Sequence, residues 1–389
     1  MTYLSTLKRE FRQLFDSIGI MIILFVGPLF LTLYMGSVYL HDYVNDISVA
    51  VLDEDGTTLS RMIGQEFNDS ERFIVTNYPS SRGELEALID NGEAEFGVWI
   101  PENFQENATT YESTEVMVIM DGTNLVVANN AYAQASLIIQ SISAGIEMRL
   151  IQGKGVAPQI AENMALVFNV GERVLFDSKM TYMNYLIIGF LAIFLQQLLM
   201  AAMGSVLIRH KDTLSKGKVI DKALATSSAL IIGFIPSAVV CMLILKLLYH
   251  VPMVGNIGLV IMMTLIFLLS LTGPALVLAS ITKDRVTYSQ FSLMLSLPTF
   301  VASGCVWPVE QMPKLLEILI RLLWPLINYS KAVQEILIKG RGFSSVLTNI
   351  WQLLAYGVVW LILGAFLYKR AFATAEEEEN LPLLQPLES

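Results

Sequence analysis

The sequence has few charged residues, few histidines and only two cysteines. Lys, Arg, Asp and Glu make up 15% of 389 residues, whereas soluble domains carry about 25%, so a large soluble core is not expected. The three histidines, His41, His210 and His250, have no ligand spacing to one another, which argues against a histidine zinc site. Cys241 and Cys305 lie in or beside apolar runs, so we interpret them as packing residues and expect no disulfide framework.

Several catalytic motifs are also missing. The Gly-Lys pairs that end at Lys154 and Lys218 lack the earlier glycine of a Walker A loop, because Met148 and Asp212 stand there. No G-x-S-x-G sequence occurs. The long apolar runs contain no acidic residue, which leaves an intramembrane protease without its paired aspartates. We therefore expect a chain that is not an enzyme and that binds no metal or cofactor itself.

Long apolar runs are the main feature that is present. About 20 residues of helix cross the 30 Å hydrocarbon core of a bilayer, and only a helix or closed barrel satisfies the backbone there. The runs predict a polytopic α-helical membrane protein with six transmembrane helices, at 18–40, 182–208, 223–249, 251–282, 286–307 and 342–368. Residues 18–40 follow a basic start, as signal peptides do, but the run exceeds a signal core and lacks a small-x-small cleavage site, which favours an uncleaved span.

Basic residues predict how these helices are oriented. With six spans, most of the Lys and Arg residues that lie outside residues 41–181 fall on one side of the membrane. The positive-inside rule assigns that side to the cytoplasm. They are Lys8, Arg9, Arg12, Arg209, Lys211, Lys216, Lys218, Lys222, Lys283, Arg285, Lys369 and Arg370. Both termini are then cytoplasmic. Five basic residues between spans five and six depart from the rule, and we expect them to extend to the membrane surface: Lys314, Arg321, Lys331, Lys339 and Arg341.

The segment between spans one and two, 41–181, has the composition of a separate domain. It contains 22 acidic and 7 basic residues, and this charge excludes nucleic acid as a partner because phosphates would find no neutralising surface. Short apolar stretches, "ISVAVLDED", "RFIVTNY", "AEFGVWIP" and "TEVMVIMDGTN", predict four strands. "GTTLSRMIGQEF", "SRGELEALIDNG" (with Ser81 as N-cap) and the segment from Leu125 to about Phe168 predict helices. We expect an α/β extracytoplasmic domain.

Four further segments complete the predicted organisation. Residues 1–17 place Leu4, Leu7, Phe11 and Leu14 on one side, which predicts an amphipathic helix on the inner membrane surface; the alternative is a cytosolic extension of span one. The loop 209–222 is polar and basic, and the tail 369–389 is acidic. Residues 308–341 hold three prolines and a short amphipathic helix between two apolar runs.

Three polar residues lie within the predicted spans. Asn184, Gln196 and Gln197 all belong to span two, and polar groups in hydrocarbon are candidate functional residues. The alternative is hydrogen bonding between helices. Since adjacent residues on a helix point in different directions, we expect one glutamine to pair with another helix and the other to face a cavity or a subunit seam.

Five stretches together resemble a known family. They are "LKREFRQLF", "VAVLDEDGTTLSR", "NGEAEFGVWIPENF", "VMVIMDGTN" and "SGCVWPVEQMPKLLEILIRLLWPLINYSKAVQEIL". In this order and on this topology they resemble the membrane (permease) subunit of ATP-binding-cassette exporters of the type V, or ABC type-2, class with a large extracytoplasmic domain after the first span. The last stretch is similar to the family's S-G-x-x-x-P…P…P-L region, with Ser303, Gly304, Pro308, Pro313 and Pro325 at the matching positions.

The resemblance implies two sets of functional residues. Residues 308–341 would form re-entrant outer helices that gate the pathway; a rigid plug without gating is the alternative. The N-terminal helix and the 209–222 loop would couple to an ATPase. Their candidate residues are Lys8, Arg9, Arg12, Arg209, Lys211, Asp212, Thr213 and Leu214, with Asp212 standing where the family has glycine.

The resemblance also implies a location in the bacterial inner (plasma) membrane, and it implies partners. We expect an ABC ATPase subunit that carries ATP and Mg²⁺, a second permease copy or a paralogue, and membrane lipids, with a periplasmic adaptor protein as a further option. The rival hypothesis is a membrane-anchored sensor or scaffold whose extracytoplasmic domain binds a ligand or an envelope partner. Transport is favoured because the sequence shows no cytosolic effector domain.

Overall fold

The computed structural model describes residues 3–40, 43–110, 112–165, 173–177, 181–211 and 219–379, with the side chains of 210–211 and 372–379 left aside. The chain divides into two compact units. One unit comprises residues 43–173 and is called the inserted unit. The other comprises the residues before and after it, 1–42 and 174–389, and is called the helical unit.

The inserted unit is built on a four-stranded sheet. β1 (Ile47–Asp53), β2 (Phe73–Asn77) and β3 (Phe96–Ile100) are parallel, and β4 (Met117–Met120) joins the edge antiparallel to β3, in the order β2-β1-β3-β4. The connecting helices are α4 (Thr58–Asp69), α5 (Arg82–Asp90) and α6 (Phe104–Thr110), followed by α7 (Leu125–Gly153) and α8 (Pro158–Ala165). Each of the four predicted strands is present.

The two faces of this sheet are covered by different helices. Because strand side chains alternate, Val49 and Val51 lie on one face, where they pack with Phe67 of α4 and with α7. Ala50 and Leu52 lie on the opposite face, against Leu85 of α5. Both faces of β1 are buried, as expected for a parallel strand between two helical layers.

Acidic residues at the strand ends hold turns in the inserted unit. Asp53 Oδ1 accepts from the backbone N–H groups of Asp55 and Gly56 at 3.1 and 2.9 Å. Asp121 accepts from the backbone and the hydroxyl of Thr123, both at 2.8 Å, and these bonds lower the pKa of Asp121. Asn124 then caps α7. The "LDEDG" and "DGTN" stretches are therefore turn and capping sequences.

The helical unit begins with α1 (Tyr3–Phe15), α2 (Ile18–Met21), a π-helical turn (Ile22–Val26) and α3 (Gly27–Val38). After the inserted unit come α9 (Tyr182–Lys211), α10 (Val219–Leu247), α11 (Ile257–Ser270), α12 (Thr272–Ile281) and α13 (Arg285–Val301). A 3₁₀ turn (Val309–Gln311), α14 (Lys314–Leu323), α15 (Leu326–Leu337) and α16 (Phe343–Glu379) follow.

Within the described residues, five helical segments are long and apolar enough to cross a membrane, at Ile18–Val38, Tyr182–Arg209, Val219–Leu247, Ile257–Ile281 and Phe343–Ala371. The prediction of six is thus not confirmed. The predicted fifth span, 286–307, corresponds to α13, which ends at Val301 after 17 residues, the lower end of the length a bilayer core requires. Gly304 (φ 87°) turns the chain soon afterwards.

Two other boundaries differ from the expectation. α9 runs to Lys211 and α10 begins at Val219, so the helices take up part of the predicted 209–222 loop. α16 continues to Glu379, so the first half of the predicted tail, 369–389, is helical. The run of Ala and Glu residues there favours helix, since both have high helix propensity.

Glycines allow the membrane-length helices to approach closely. A Cβ on Gly273 of α12 would lie under 3.0 Å from the Trp360 backbone of α16, and a Cβ on Gly364 would lie as close to the Gly273 carbonyl. Small residues at helix contacts are common in membranes, where apolar burial alone does not drive association. The α12–α16 contact therefore depends on backbone proximity.

Candidate functional site

Polar side chains join α9 to α13 in the interior of the helical unit. Gln197 Oε1 accepts from Ser296 Oγ at 2.7 Å and from Ser292 Oγ at 3.4 Å. Gln196, fully buried, donates from Nε2 to the same Ser296 Oγ at 3.3 Å. The two glutamines thus reach one helix, contrary to the divergence expected for adjacent residues. The side chains of Gln196 and Gln197 leave α9 in different directions, but both are long enough to reach Ser296 of α13.

One buried ring continues this α9–α13 contact. Tyr288 of α13 is fully buried, and a Cβ on Gly204 of α9 would lie under 3.0 Å from its ring. Only glycine therefore leaves room for the tyrosine at that position. Tyr288, Ser292 and Ser296 are the buried residues of α13, and the Phe300 ring near its end packs on Phe190 of α9 with ring centroids 5.0 Å apart.

A buried turn follows α13. Ser303 is buried and its Oγ donates to the Phe300 carbonyl at 2.6 Å, while its own carbonyl accepts from Ser330 Oγ of α15 at 3.0 Å. Gly304 has a φ of 87°, a conformation that side chains with a Cβ rarely adopt. A Cβ on it would also meet Val309 under 3.0 Å away. Ser303 and Gly304 together fix where the chain leaves α13.

The three prolines of the motif each precede a helical segment. Pro308 precedes the 3₁₀ turn, Pro313 precedes α14 and Pro325 precedes α15. The missing N–H of proline costs nothing at a helix start. The structure therefore gives the five motif residues Ser303, Gly304, Pro308, Pro313 and Pro325 a common role in bending the chain.

The two short helices after this turn differ in burial. α14 has no buried residue among its ten, and its apolar residues are exposed, including Leu315, Leu319 and Leu322. α15 is largely buried. Tyr356 and Trp360 of α16 donate to the Leu323 and Leu322 carbonyls at 2.9 Å each, which satisfies the end of α14. One helix of the pair is thus internal and the other is peripheral.

Three of the five basic residues that depart from the positive-inside rule form ion pairs with glutamates. Lys331 Nζ lies 2.8 Å from Glu310, Arg321 Nε lies 3.0 Å from Glu317, and Lys339 Nζ lies 3.7 Å from Glu335. Hydrogen bonding to Lys331 lowers the pKa of Glu310.

The N-terminal helix packs on the start of α10. Leu14 joins the apolar core of the helical unit, and Tyr3 OH lies 2.9 Å from Ser228 Oγ. Lys8, Arg9 and Arg12 are exposed on other faces of α1. α1 ends at Phe15, and the next helix begins at Ile18, so α1 is a separate helix.

One functional candidate was missed in the sequence. Glu10 of α1 is buried, where its Oε2 accepts from Thr226 Oγ1 of α10 at 3.1 Å and its Oε1 lies 3.3 Å from Arg9. The available signal was its spacing, since Glu10 lies three residues after Leu7 and four before Leu14, on the apolar side. A buried carboxylate ties α1 to α10.

The remaining coupling candidates lie at the adjoining loop. Arg209 is exposed in the last turn of α9, and Lys211 is the final residue of that helix. Asp212, Thr213 and Leu214 lie outside the described residues.

Asn184 lies in a cleft at the other end of α9. Its Nδ2 donates to Asp177 Oδ1 at 2.9 Å, and its backbone N–H donates to Thr181 Oγ1 at 3.3 Å. Gln334 of α15 donates to the Tyr185 carbonyl at 3.2 Å. The cleft has a volume of about 490 Å³ and is lined by Asp177, Thr181, Tyr182, Asn184, Tyr185, Gln334, Ile338 and Lys339. In the part of the chain described, no three His, Cys, Asp or Glu residues come together as metal ligands.

Comparisons with known proteins agree on one family. The family model described as "ABC-2 family transporter protein" matches residues 18–366. The probable multidrug ABC transporter permease YbhR of Escherichia coli K12 is 23% identical over 322 residues, 80% of this chain and 83% of the relative. The inner membrane transport permease YhhJ of the same strain is 23% identical over 366 residues, 91% of this chain and 93% of the relative.

A eukaryotic relative matches over a part of its length. The ABC transporter G family member 20 of Dictyostelium discoideum is 22% identical over 355 residues, which is 87% of this chain and 46% of that protein.

Proposed function

This chain belongs to the ABC-2 family of transporter proteins, and we propose on that premise that it is the permease subunit of an ATP-driven exporter. Two such subunits, identical or paralogous, would enclose the translocation pathway. Separate ATPase subunits would bind ATP and Mg²⁺ on the cytoplasmic side. The supporting observation is the family match across residues 18–366, a range that contains the inserted unit, four of the five membrane-length segments and most of the fifth.

Coupling to the ATPase is assigned to the 209–222 loop, which connects α9 to α10, and to α1, which packs on the start of α10. The Glu10–Thr226 bond links α1 to α10, so the two helices would move together. A push on the loop would therefore reach both helices. Exposed Lys8, Arg9, Arg12 and Arg209 offer positive charge for acidic residues on the ATPase.

The outer gate is assigned to residues 308–341. α15 is held in the unit by the Ser330–Ser303 and Asn349–Asn328 bonds, at 3.0 Å each, whereas α14 is peripheral. Opening would therefore involve α14 more than α15, since no side chain of α14 is buried and its hydrogen bonds to Tyr356 and Trp360 of α16 reach only its last two residues. Both termini would be cytoplasmic and the inserted unit extracytoplasmic, with an adaptor protein as a further partner of its acidic surface.

The test is purification of the chain from native membranes in mild detergent, with mass spectrometry of the companions and an ATP hydrolysis assay. The variant Arg209→Glu/Lys211→Glu reverses charge at the proposed docking end. The matched control, Arg149→Glu/Lys154→Glu, makes the same change at two exposed positions at the end of α7 in the inserted unit. We expect an ABC ATPase to co-purify with the parent and the control and to be lost or uncoupled in the first variant.

Two results would contradict the proposal. Recovery of envelope proteins alone, without an ATPase, would favour a sensor or scaffold whose inserted unit binds the partner. Equal ATPase recovery and activity in all three proteins would move the docking surface away from the 209–222 loop.

A further inference from the structure

A second cleft lies in the inserted unit. Its walls come from α4, α6, α7 and residues 112–116, the segment that leads into β4, and its volume is about 450 Å³. Ile63, Phe104 and Ile142 line it and belong to the buried apolar core of the unit, so the cleft reaches that core. A volume of this size is within the range of small-molecule sites.

Five polar side chains line the cleft without a protein partner. None of them makes a hydrogen bond or an ion pair with any described residue, and all but Thr114 are exposed. They are Glu112, Ser113, Thr114, Ser143 and Glu147. By contrast, Glu54 of the same unit accepts from Trp99 Nε1 at 2.9 Å. The cleft therefore presents two carboxylates and three hydroxyls whose oxygens are available to a ligand.

The charge of the lining has a single sign. Glu112 and Glu147 are the charged residues among those described around the cleft. Arg149 follows two positions after Glu147 but lines the neighbouring cleft between α4 and α7 instead. The surrounding segment 41–181 carries 22 acidic and 7 basic residues, so the longer-range field has the same sign as the two carboxylates. A cationic ligand is attracted to this cleft and an anionic ligand is repelled.

The apolar wall of the cleft requires more than a bare cation. Ile139, Ile142, Ile146 and Leu150 follow one another on α7 at steps of three and four residues, so they form one continuous face. A metal ion would not cover this face, and among the described residues no three His, Cys, Asp or Glu side chains come together to coordinate one. An organic cation covers the apolar face and places its charge beside the carboxylates.

We infer that this cleft binds an amphiphilic organic cation. Its apolar body packs against Phe104, Ile142 and Ile146, and its ammonium group donates to Glu112 and Glu147, with the adjacent hydroxyls as further acceptors. Burial of the apolar body provides most of the affinity, because exposed charge pairs contribute little, and the carboxylates provide the preference for positive charge. The inference goes beyond the exporter proposal, which assigns no small molecule to this unit, and stands whether or not the chain couples to an ATPase.

The test measures binding of monodansylcadaverine to the full chain in nanodiscs of phosphatidylcholine. This probe joins an apolar fluorophore to an alkylammonium group, and its emission increases when the fluorophore leaves water. Dansyl-aminohexanoate is the matched probe, because it carries a carboxylate in place of the ammonium on the same alkyl chain. Empty nanodiscs give the background from partition into lipid. We expect saturable binding of the cation to the parent chain and little binding of the anion.

A pair of charge variants tests the role of the carboxylates. Glu112→Gln/Glu147→Gln removes both charges and should weaken binding of the cation about three- to tenfold, the loss expected for two exposed charge contacts. The matched control, Glu115→Gln/Glu162→Gln, makes the same change at exposed glutamates that do not line the cleft, and it should bind the cation as the parent does.

A pair of serine variants tests the volume of the cleft. Ser143→Phe fills it and should abolish saturable binding of the cation, whereas Ser141→Phe, on α7 but outside this cleft, should not. Both serines are exposed, so neither substitution enters the core of the unit. Three outcomes would overturn the inference: equal saturable binding of the two probes, unchanged binding of the cation in Glu112→Gln/Glu147→Gln, or equal binding in the two serine variants.

Discussion

The two units of this chain are held together in different ways. The inserted unit buries apolar side chains on both faces of a sheet, and Phe67, Phe73 and Phe96 form its centre. The helical unit is apolar inside and outside, and its helices meet at glycines and at a few hydrogen bonds, such as Gln197 with Ser296. Apolar burial stabilises the first in water, whereas close packing and polar pairing specify the second in lipid.

The largest expected effect is on the sheet of the inserted unit. Phe96→Ala removes a fully buried ring stacked on Phe73, with centroids 5.6 Å apart, and should cost about 3–5 kcal/mol. Hydrogen exchange of the β1 and β3 amides in the full chain would report it. Ile74→Ala, at an exposed position on β2, should leave the same amides protected. Comparable losses in both variants would mean that apolar burial does not govern this unit.

A matched glycine pair distinguishes the two units more directly. Gly273→Ala places a methyl group against the Trp360 backbone and should destabilise the helical unit by about 1–3 kcal/mol. Gly145→Ala on α7 meets nothing within 4 Å and should stabilise the inserted unit by about 0.5–1 kcal/mol. Thermal unfolding of the purified protein measures the first effect, and exchange of the α7 amides measures the second. If both substitutions changed stability in the same direction, the two units would not differ in how they use glycine.

A smaller effect is expected at the α9–α13 contact. A double-mutant cycle with Gln197→Leu and Ser296→Ala should give a coupling of about 0.6 kcal/mol, the average for hydrogen bonds between membrane helices. Thermal unfolding in one detergent at constant lipid content is the measurement. A coupling near zero would assign the attachment of α13 to the Tyr288–Gly204 contact instead.

The smallest effect is expected at two aspartates, one in each unit, that accept hydrogen bonds from a nearby threonine. Hydrogen bonds from Thr123 lower the pKa of Asp121, and those from Thr287 lower the pKa of Asp284, the N-cap of α13 in the loop before it. Each stabilising contribution is present above the ordinary aspartate value of 3.8 and is lost as pH falls through the lowered pKa. Asp284→Asn and Asp121→Asn should each reduce the melting-temperature difference between pH 7 and pH 3. If the melting-temperature difference stayed the same in both variants, these hydrogen bonds would not contribute to stability in the way described.

The strands and turns of the inserted unit were predictable from the residues. A short apolar stretch identified β1, and the strand-end acids, Ser81 and the "DGTN" sequence marked turns and caps that the structure contains. In water, the buried side of an element differs in composition from its exposed side. The pattern of residues therefore reports the three-dimensional environment directly.

The candidate site was predicted in part. The prolines 308, 313 and 325 indicated a broken segment before α16, but the sequence did not distinguish peripheral α14 from buried α15. Glu10 was passed over as one charge among several on an amphipathic helix. Its burial depends on Thr226, which lies 216 residues away, and no local pattern reports a partner so distant.

The sequence by itself determined which segments are apolar enough for a membrane and where the α/β unit is inserted, because solvation depends on composition over short windows. Only the tertiary structure decided which face of each helix is internal. A membrane helix is apolar all round, so its sequence carries little information about its neighbours. The pairing of Gln196 and Gln197 with Ser296 and the burial of Glu10 beside Thr226 both follow from which helices touch.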